Sequence, residues 1–343
     1  MKKGILSILV IIGFVQICGA ECIIELRKQS LKYTLIDVAS SVYLANVAKP
    51  PFYSVNSFKQ FGVDGINYYN WLIAVYVSLP EDKKLDLKTI FENNSARYLM
   101  TFTMPLNDSA SVDQIVGKLS GSMFMINRKS RKAIRDFFPY FYNNCLQSYL
   151  PYIDKAITKN YISVKNDLRK YNLNIFEFMN INSGLHVLNG QKQIVYYSPD
   201  FFATYGFTHN NEEISVVTRV KDNFPSLLKT IFHENSHVIF QTFTKSSEFE
   251  KLVEPLKQNK ELFNLWNNNL QNTYKLWSTW CEENLVNGFA FYLFDKYTGE
   301  KTYYTGNYYF DYQFYKYLKN NRFNPSETTL KAMTYQFIND LNK

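Results

Sequence analysis

Cysteine and histidine are scarce in this 343-residue chain, with four of each. No C-x-x-C pair occurs, which excludes a cysteine zinc knuckle. Beyond the first twenty residues no stretch is long and apolar enough to span a bilayer. There is no internal repeat and no low-complexity block. Runs of one charge are nearly missing too: 38 basic and 30 acidic residues are scattered, apart from Arg128, Lys129, Arg131, Lys132 and Arg135. So short a basic cluster is expected to be the solvated face of a helix, and no nucleic-acid partner is expected. What is abundant is apolar and aromatic: 46% hydrophobic residues, with 28 Phe and 27 Tyr. That excludes a disordered chain and points to a substantial core.

The first twenty residues are of another kind. Lys2 and Lys3 precede an almost unbroken apolar run from Gly4 to Val15, and Cys18-Gly19-Ala20 supplies small residues for cleavage. This is the layout of a secretory signal peptide at 1–20, with an apolar run too short for a membrane span. A lipid anchor is the rival reading. However, Cys18 follows Val15-Gln16-Ile17 and Cys22 follows Glu21, neither of which makes a good lipobox. The expectation is export, periplasmic or extracellular, with no stable membrane insertion after cleavage. Cys22, Cys145 and Cys281 would then remain, enough for one disulfide whose pairing cannot be read from spacing.

Residues 21–171 read as mostly helical. Leu31 to Val47 and Asn67 to Val77 carry helical periodicity and end at Pro50-Pro51 and Pro80. Ser111 to Tyr171 continues it, with breaks expected near Gly121, Pro139 and Pro151. From 172 to 343 the character changes. Ile175 to Ile181, Gln193 to Tyr197 and Ile214 to Val220 are short β-branched or aromatic runs between Asn/Gly/Asp turns, and predict a small sheet. Asn223, Pro225 and Ser226 then start a helix over Leu227 to Phe243 that is apolar nearly all round and hence buried. Helices over Glu261–Leu270 and Thr273–Lys296 and a helical C-terminus complete an α+β arrangement.

Two of the four histidines lie in His233-Glu234-Asn235-Ser236-His237. Four residues apart on a helix, both imidazoles project from one face at a spacing that suits one metal ion. Glu234 lies beside that stripe, where it can reach a metal-bound water without ligating the metal. This is the residue set that metal-assisted hydrolysis requires. In an apolar helix, two imidazoles and a carboxylate would be expensive to bury unless a metal or hydrogen bonds satisfied them.

A catalytic zinc needs a third protein ligand. The metzincin extension would need Gly at 240 and His at 243; Phe240 and Phe243 exclude it. Glu282 and Glu283, 45 and 46 residues beyond His237, are the leading candidates. A polar residue one turn after the ligand can hydrogen-bond a ligand histidine. Asn287 stands in that position for Glu283, whereas apolar Val286 follows Glu282. This phase argument selects Glu283 and makes Glu282 dispensable. Glu254, followed by helix-breaking Pro255, and Glu261, followed one turn on by Leu265, rank lower.

His233-Glu234-x-x-His237 with a later Glu283-Asn284-Leu285-Val286 run resembles the gluzincin group of zinc peptidases. More narrowly, it resembles an uncharacterised family of secreted bacterial proteins with an H-E-x-S-H helix and a later E-x-L-V-x-A helix. The resemblance covers roughly residues 190–297. It implies a zincin-like catalytic region, Zn2+ held by His233, His237 and Glu283, Glu234 as general base, and a peptide or protein substrate. The chain departs from the pattern at Asn287-Gly288, where the narrow family has Arg-Ala and better-known gluzincins an acidic residue. Two other functions stay open: a non-catalytic peptide- or protein-binding protein that keeps the fold, and a metal-dependent hydrolase of a non-peptide amide. His186, His209, Tyr196, Tyr197, Tyr303 and Tyr304 are all eligible to stabilise an oxyanion. A strand before the active helix, within Gln193–Tyr197 or Ile214–Val220, is expected to pair with an extended substrate.

Overall fold

The computed structural model describes residues 23–48, 52–122, 126–171, 174–202, 204–209, 213–267, 275–299 and 309–342. The segment read as a leader, Cys18 and Cys22, and Tyr303 and Tyr304 lie outside them. A strand, β1 (Ile23–Arg27), opens the described chain. Helices α1 (Leu31–Asn46), α2 (Val55–Lys59), α3 (Gly62–Ser78), α4 (Glu81–Asn93) and α5 (Ala96–Thr103) follow. Then come α6 (Val112–Ser120), α7 (Arg128–Phe141), α8 (Leu150–Tyr171) and α9 (Ile175–Ser183). The strands β2 (Lys192–Tyr197), β3 (Tyr205–His209) and β4 (Glu213–Thr218) lead into α10 (Phe224–Thr244). After it come α11 (Ser247–Val253), α12 (Lys260–Asn267), α13 (Trp277–Thr298), α14 (Asp311–Asn320) and α15 (Leu330–Leu341). The protein is α+β, largely helical around one small sheet.

The sheet order is β1-β2-β4-β3. β1, β2 and β4 run parallel (Leu26 beside Val195, Val195 beside Val216), and β3 lies antiparallel on β4 with Gly206 beside Val216. β2 and β4 are therefore interior, paired on both sides. The expectation that one of them accepts an extended substrate is corrected: the outer strands are β1 and β3. Alternation along the strands sorts the faces. Tyr196 and Phe207 point to α1, where both rings meet Tyr33, at 4.9 and 5.9 Å between centroids. Gln193 and Gly206 point to α10. β1 comes from before residue 172 and the other strands from after it, so the two regions share one sheet and one core.

Ile175–Ile181, expected as a strand, is helical. Short β-branched and aromatic runs read both ways. Here Ile175, Phe176 and Met179 are buried at helical spacing. Asn174 caps the start by accepting from the Glu177 amide, and Gly184 ends the helix at φ 71°, a left-handed turn that glycine adopts without strain. Pro139, expected as a break, sits inside α7, and the chain continues through a π turn at Tyr142–Leu146 into α8. The break at Gly121 is present. On α7, Arg128, Lys129, Lys132 and Arg135 are exposed, as a solvated face requires. Cys145 and Cys281 are buried free thiols. No helix among the described residues is long and apolar enough to cross a membrane.

α1 also carries a buried acid. Asp37 is inaccessible and its Oδ2 accepts from Ser198 Oγ. Burial, followed by the neighbouring Asp200 carboxylate, holds its pKa well above the usual range. The folded state therefore binds this proton more tightly than the unfolded state. The resulting penalty is absent below about pH 4 and grows as the pH rises above it. Asp37→Asn retains an acceptor for Ser198 and removes the penalty. It is expected to raise Tm by about 2–6 °C at pH 7–8, with the gap closing near pH 4. A gap independent of pH in thermal melts would contradict this.

Candidate metal centre

α10 is set by its start. The Asn223 side chain accepts from the Ser226 amide at 3.0 Å, and Pro225 occupies the first turn, where its missing N–H matters least. Leu227, Leu228, Ile231, Phe232, Ile239 and Phe240 are all inaccessible. His233, Glu234, His237 and Gln241 form a half-buried stripe one turn apart along the same helix. Thus the helix is buried on every side except the one that carries the polar motif.

α13 crosses this stripe and presents both carboxylates. Glu283 Oε1 lies 3.0 Å from His233 Nε2, and its Oε2 lies 3.4 Å from His237 Nε2. The ligand atoms of His233, His237 and Glu283 all lie within 4.8 Å of one another. Metal–ligand bonds of about 2.0–2.1 Å at tetrahedral angles put neighbouring donors roughly 3.3–3.4 Å apart. The two Glu283–histidine separations are close to this, and the whole set, within 4.8 Å, could draw together around a small ion. Two imidazole nitrogens and one carboxylate form a donor set that divalent first-row metals, zinc among them, accept with further positions left for water or substrate.

The electrostatics also ask for positive charge. Burial works against the charged form of His237, yet hydrogen bonds to Glu282 and Glu283 outweigh it and raise its pKa to about 10. Burial opposes ionisation of Glu283 as well, but the His233 and His237 imidazoles hold it well below the ordinary carboxylate range. The carboxylates of Glu234, Glu282 and Glu283 all act on His237. A divalent cation at this point would replace the proton that the carboxylates now draw onto the imidazole.

Glu234 lies against β3. A Cβ built on Gly206 would fall 1.9 Å from Glu234 Oε2 and 2.1 Å from its Cδ, so the strand passes where the carboxylate needs the space. Gly206→Ala is expected to displace the flexible Glu234 side chain rather than the fold. Metal content and Tm should stay near wild type, while any turnover that depends on Glu234 should fall by about 10²-fold, the scale of a catalytic group moved by an ångström. Full activity in the variant would show that Glu234 does not act from this position.

The residues expected as ligands, His233, His237 and Glu283, are brought together. Glu254 is exposed and pairs with Lys257 at 2.9 Å, and Glu261 is exposed and accepts from Tyr309 at 3.3 Å. Asn287 was expected to hydrogen-bond a ligand histidine. Its Nδ2 instead donates to Asp311 Oδ2 at 2.7 Å, at the start of α14. The carboxylate on His237 Nδ1 is that of Glu282, with Oε1 at 3.0 Å. The departure at Asn287-Gly288 has a packing reason as well. A Cβ at Gly288 would lie 2.5 Å from Asp311 O, so both positions serve the close approach of α14.

A search for the partner one turn along the ligand's own helix passes over Glu282. The available signal was across the gap: Gln241 and Thr244 continue the His237 stripe of α10 with hydrogen-bonding groups. Of the oxyanion candidates, Tyr196 faces α1 and donates to Asp108 at 2.9 Å, so it lies on the wrong side of the sheet. Tyr197 packs against Tyr161 of α8, and His186 is exposed. His209 ends β3, paired with Glu213. No family model, no curated protein and no solved structure matches the chain.

Proposed function

We propose that this protein is an exported zinc-dependent peptidase with a zincin-like, gluzincin-type site. The observation that carries the reading is the convergence of His233 Nε2, His237 Nε2 and the Glu283 carboxylate, with Glu234 free of the ligand set and turned to β3. A bound zinc would supply a Lewis acid that polarises the scissile carbonyl and acidifies a water molecule. His233, His237 and Glu283 would hold it. Glu234 would take the attacking water's proton and pass it to the leaving amine. β3 is an outer strand and runs past Glu234 at Gly206, so an extended peptide laid along it would carry its backbone to that carboxylate.

A purely structural zinc site has no use for a carboxylate such as Glu234 beside the ligands, which favours catalysis over scaffolding. The leader-like residues 1–20 support export. The decisive experiment is zinc content by elemental mass spectrometry after chelation and reloading, together with hydrolysis of a mixed peptide pool before and after chelation. Uptake of about one zinc per chain with chelator-sensitive cleavage supports the reading. Zinc uptake without cleavage would transfer the protein to the binding class or to non-peptide amides. No uptake by folded protein would end the metal reading.

A further inference from the structure

His237 is held at both ring nitrogens by adjacent residues of α13. Nε2 lies 3.4 Å from Glu283 Oε2, and Nδ1 lies 3.0 Å from Glu282 Oε1. Neighbouring residues on a helix point about 100° apart, which lets two consecutive carboxylates reach opposite sides of one imidazole. An ionised carboxylate only accepts, so the hydrogen bond at Nδ1 requires the proton on that nitrogen. A metal ion that displaces the proton at Nε2, on the Glu283 side, would then take that nitrogen's lone pair while Nδ1–H stays on Glu282.

Glu282 is itself anchored. Its Oε2 accepts from Thr244 Oγ1 at 2.5 Å, and Oε1 accepts a longer bond from Gln241 Nε2 at 3.4 Å. The residue is 7% exposed. His237, Gln241 and Thr244 all belong to α10, so one buried carboxylate from α13 is satisfied by three donors of the facing helix. A carboxylate placed only to join the helices would not need to end on a ligand imidazole.

We propose that Glu282 is a positioning residue. It selects the Nδ1–H tautomer of His237 and fixes the ring plane so that Nε2 faces the ion, while Thr244 and Gln241 hold Glu282 in place. This rests on the metal reading above. Removing such a partner typically weakens metal binding by about 10–100-fold although no ligand is lost.

The test compares wild type with Glu282→Leu, Glu282→Gln and Thr244→Val, each confirmed as folded by circular dichroism. Zinc affinity is measured by competition with a chromogenic chelator. The hydrogen-bonded Nδ1–H of His237 is followed by 1H–15N NMR in both metal-free and zinc-loaded protein. Glu282→Leu should weaken zinc by about 10–100-fold and abolish the Nδ1–H resonance. Glu282→Gln retains a carbonyl acceptor and should recover much of both, which a merely structural role would not predict. Thr244→Val should fall between them, and it keeps the test intact if Glu282→Leu does not fold. Wild-type zinc affinity in both Glu282→Leu and Thr244→Val, or no protected Nδ1–H in the wild type, overturns the proposal. If the wild type binds no zinc, the metal reading falls and this role falls with it. The metal-free spectrum still separates that failure from an absent Glu282 contact.

Discussion

Glu234→Gln is expected to leave zinc uptake unchanged and to lower peptide hydrolysis by about 10²–10⁴-fold, the usual contribution of a general base. The change is isosteric, so the side chain still fits over Gly206, where no Cβ competes for the space. Glu234 is outside the group formed by His233, His237 and Glu283, so its removal subtracts no ligand. What the amide cannot do is take a proton from water and return it to an amine. Peptide turnover at wild-type rate with zinc in place would end the assignment of Glu234. Loss of zinc together with activity would instead place Glu234 among the ligands.

The second large effect is expected from Glu283→Gln, which should lose zinc by more than about 10²-fold, beyond what an outer hydrogen-bonding partner contributes. The reason is both charge and geometry. Glu283 is 5% exposed and its two oxygens face the two histidines, at 3.0 and 3.4 Å. An amide leaves two neutral nitrogens and one weak oxygen donor for a dication. Glu254→Gln and Glu261→Gln are the controls, since both residues are exposed and engaged elsewhere, and zinc affinity should not change. Equal zinc loss in Glu254→Gln would relocate the third ligand.

The helices over Leu31–Val47 and Leu227–Phe243 were legible because their apolar repeat and their ends are local: a proline pair after one, Asn223 and Pro225 before the other. Strands β2 and β4 were legible for the same reason. β1 and β3 were not. β1 is five residues that pair with a strand about 170 positions later, and β3 contains Gly206, which weakens any strand signal. Ile175–Ile181 reads as a strand but is helical, because β-branched and aromatic side chains suit either a strand or a buried helical face, and the core on which they pack decides. Asn287 illustrates the same limit. Its polarity one turn from Glu283 suggested a histidine partner, but the approach of α14 at Gly288 turned its amide to Asp311.

Chain order alone determined that His233, Glu234 and His237 stand together, because four residues make about one helical turn wherever the helix lies. It also narrowed the third ligand to a pair of adjacent glutamates. Only the tertiary structure decided that Glu283 meets both Nε2 atoms while Glu282 takes His237 Nδ1, and that Gly206 brings an outer strand against Glu234. These are contacts between separate elements. They are set by how α13 crosses α10 and how β3 lies on β4, and the periodicity of a single segment carries no record of either.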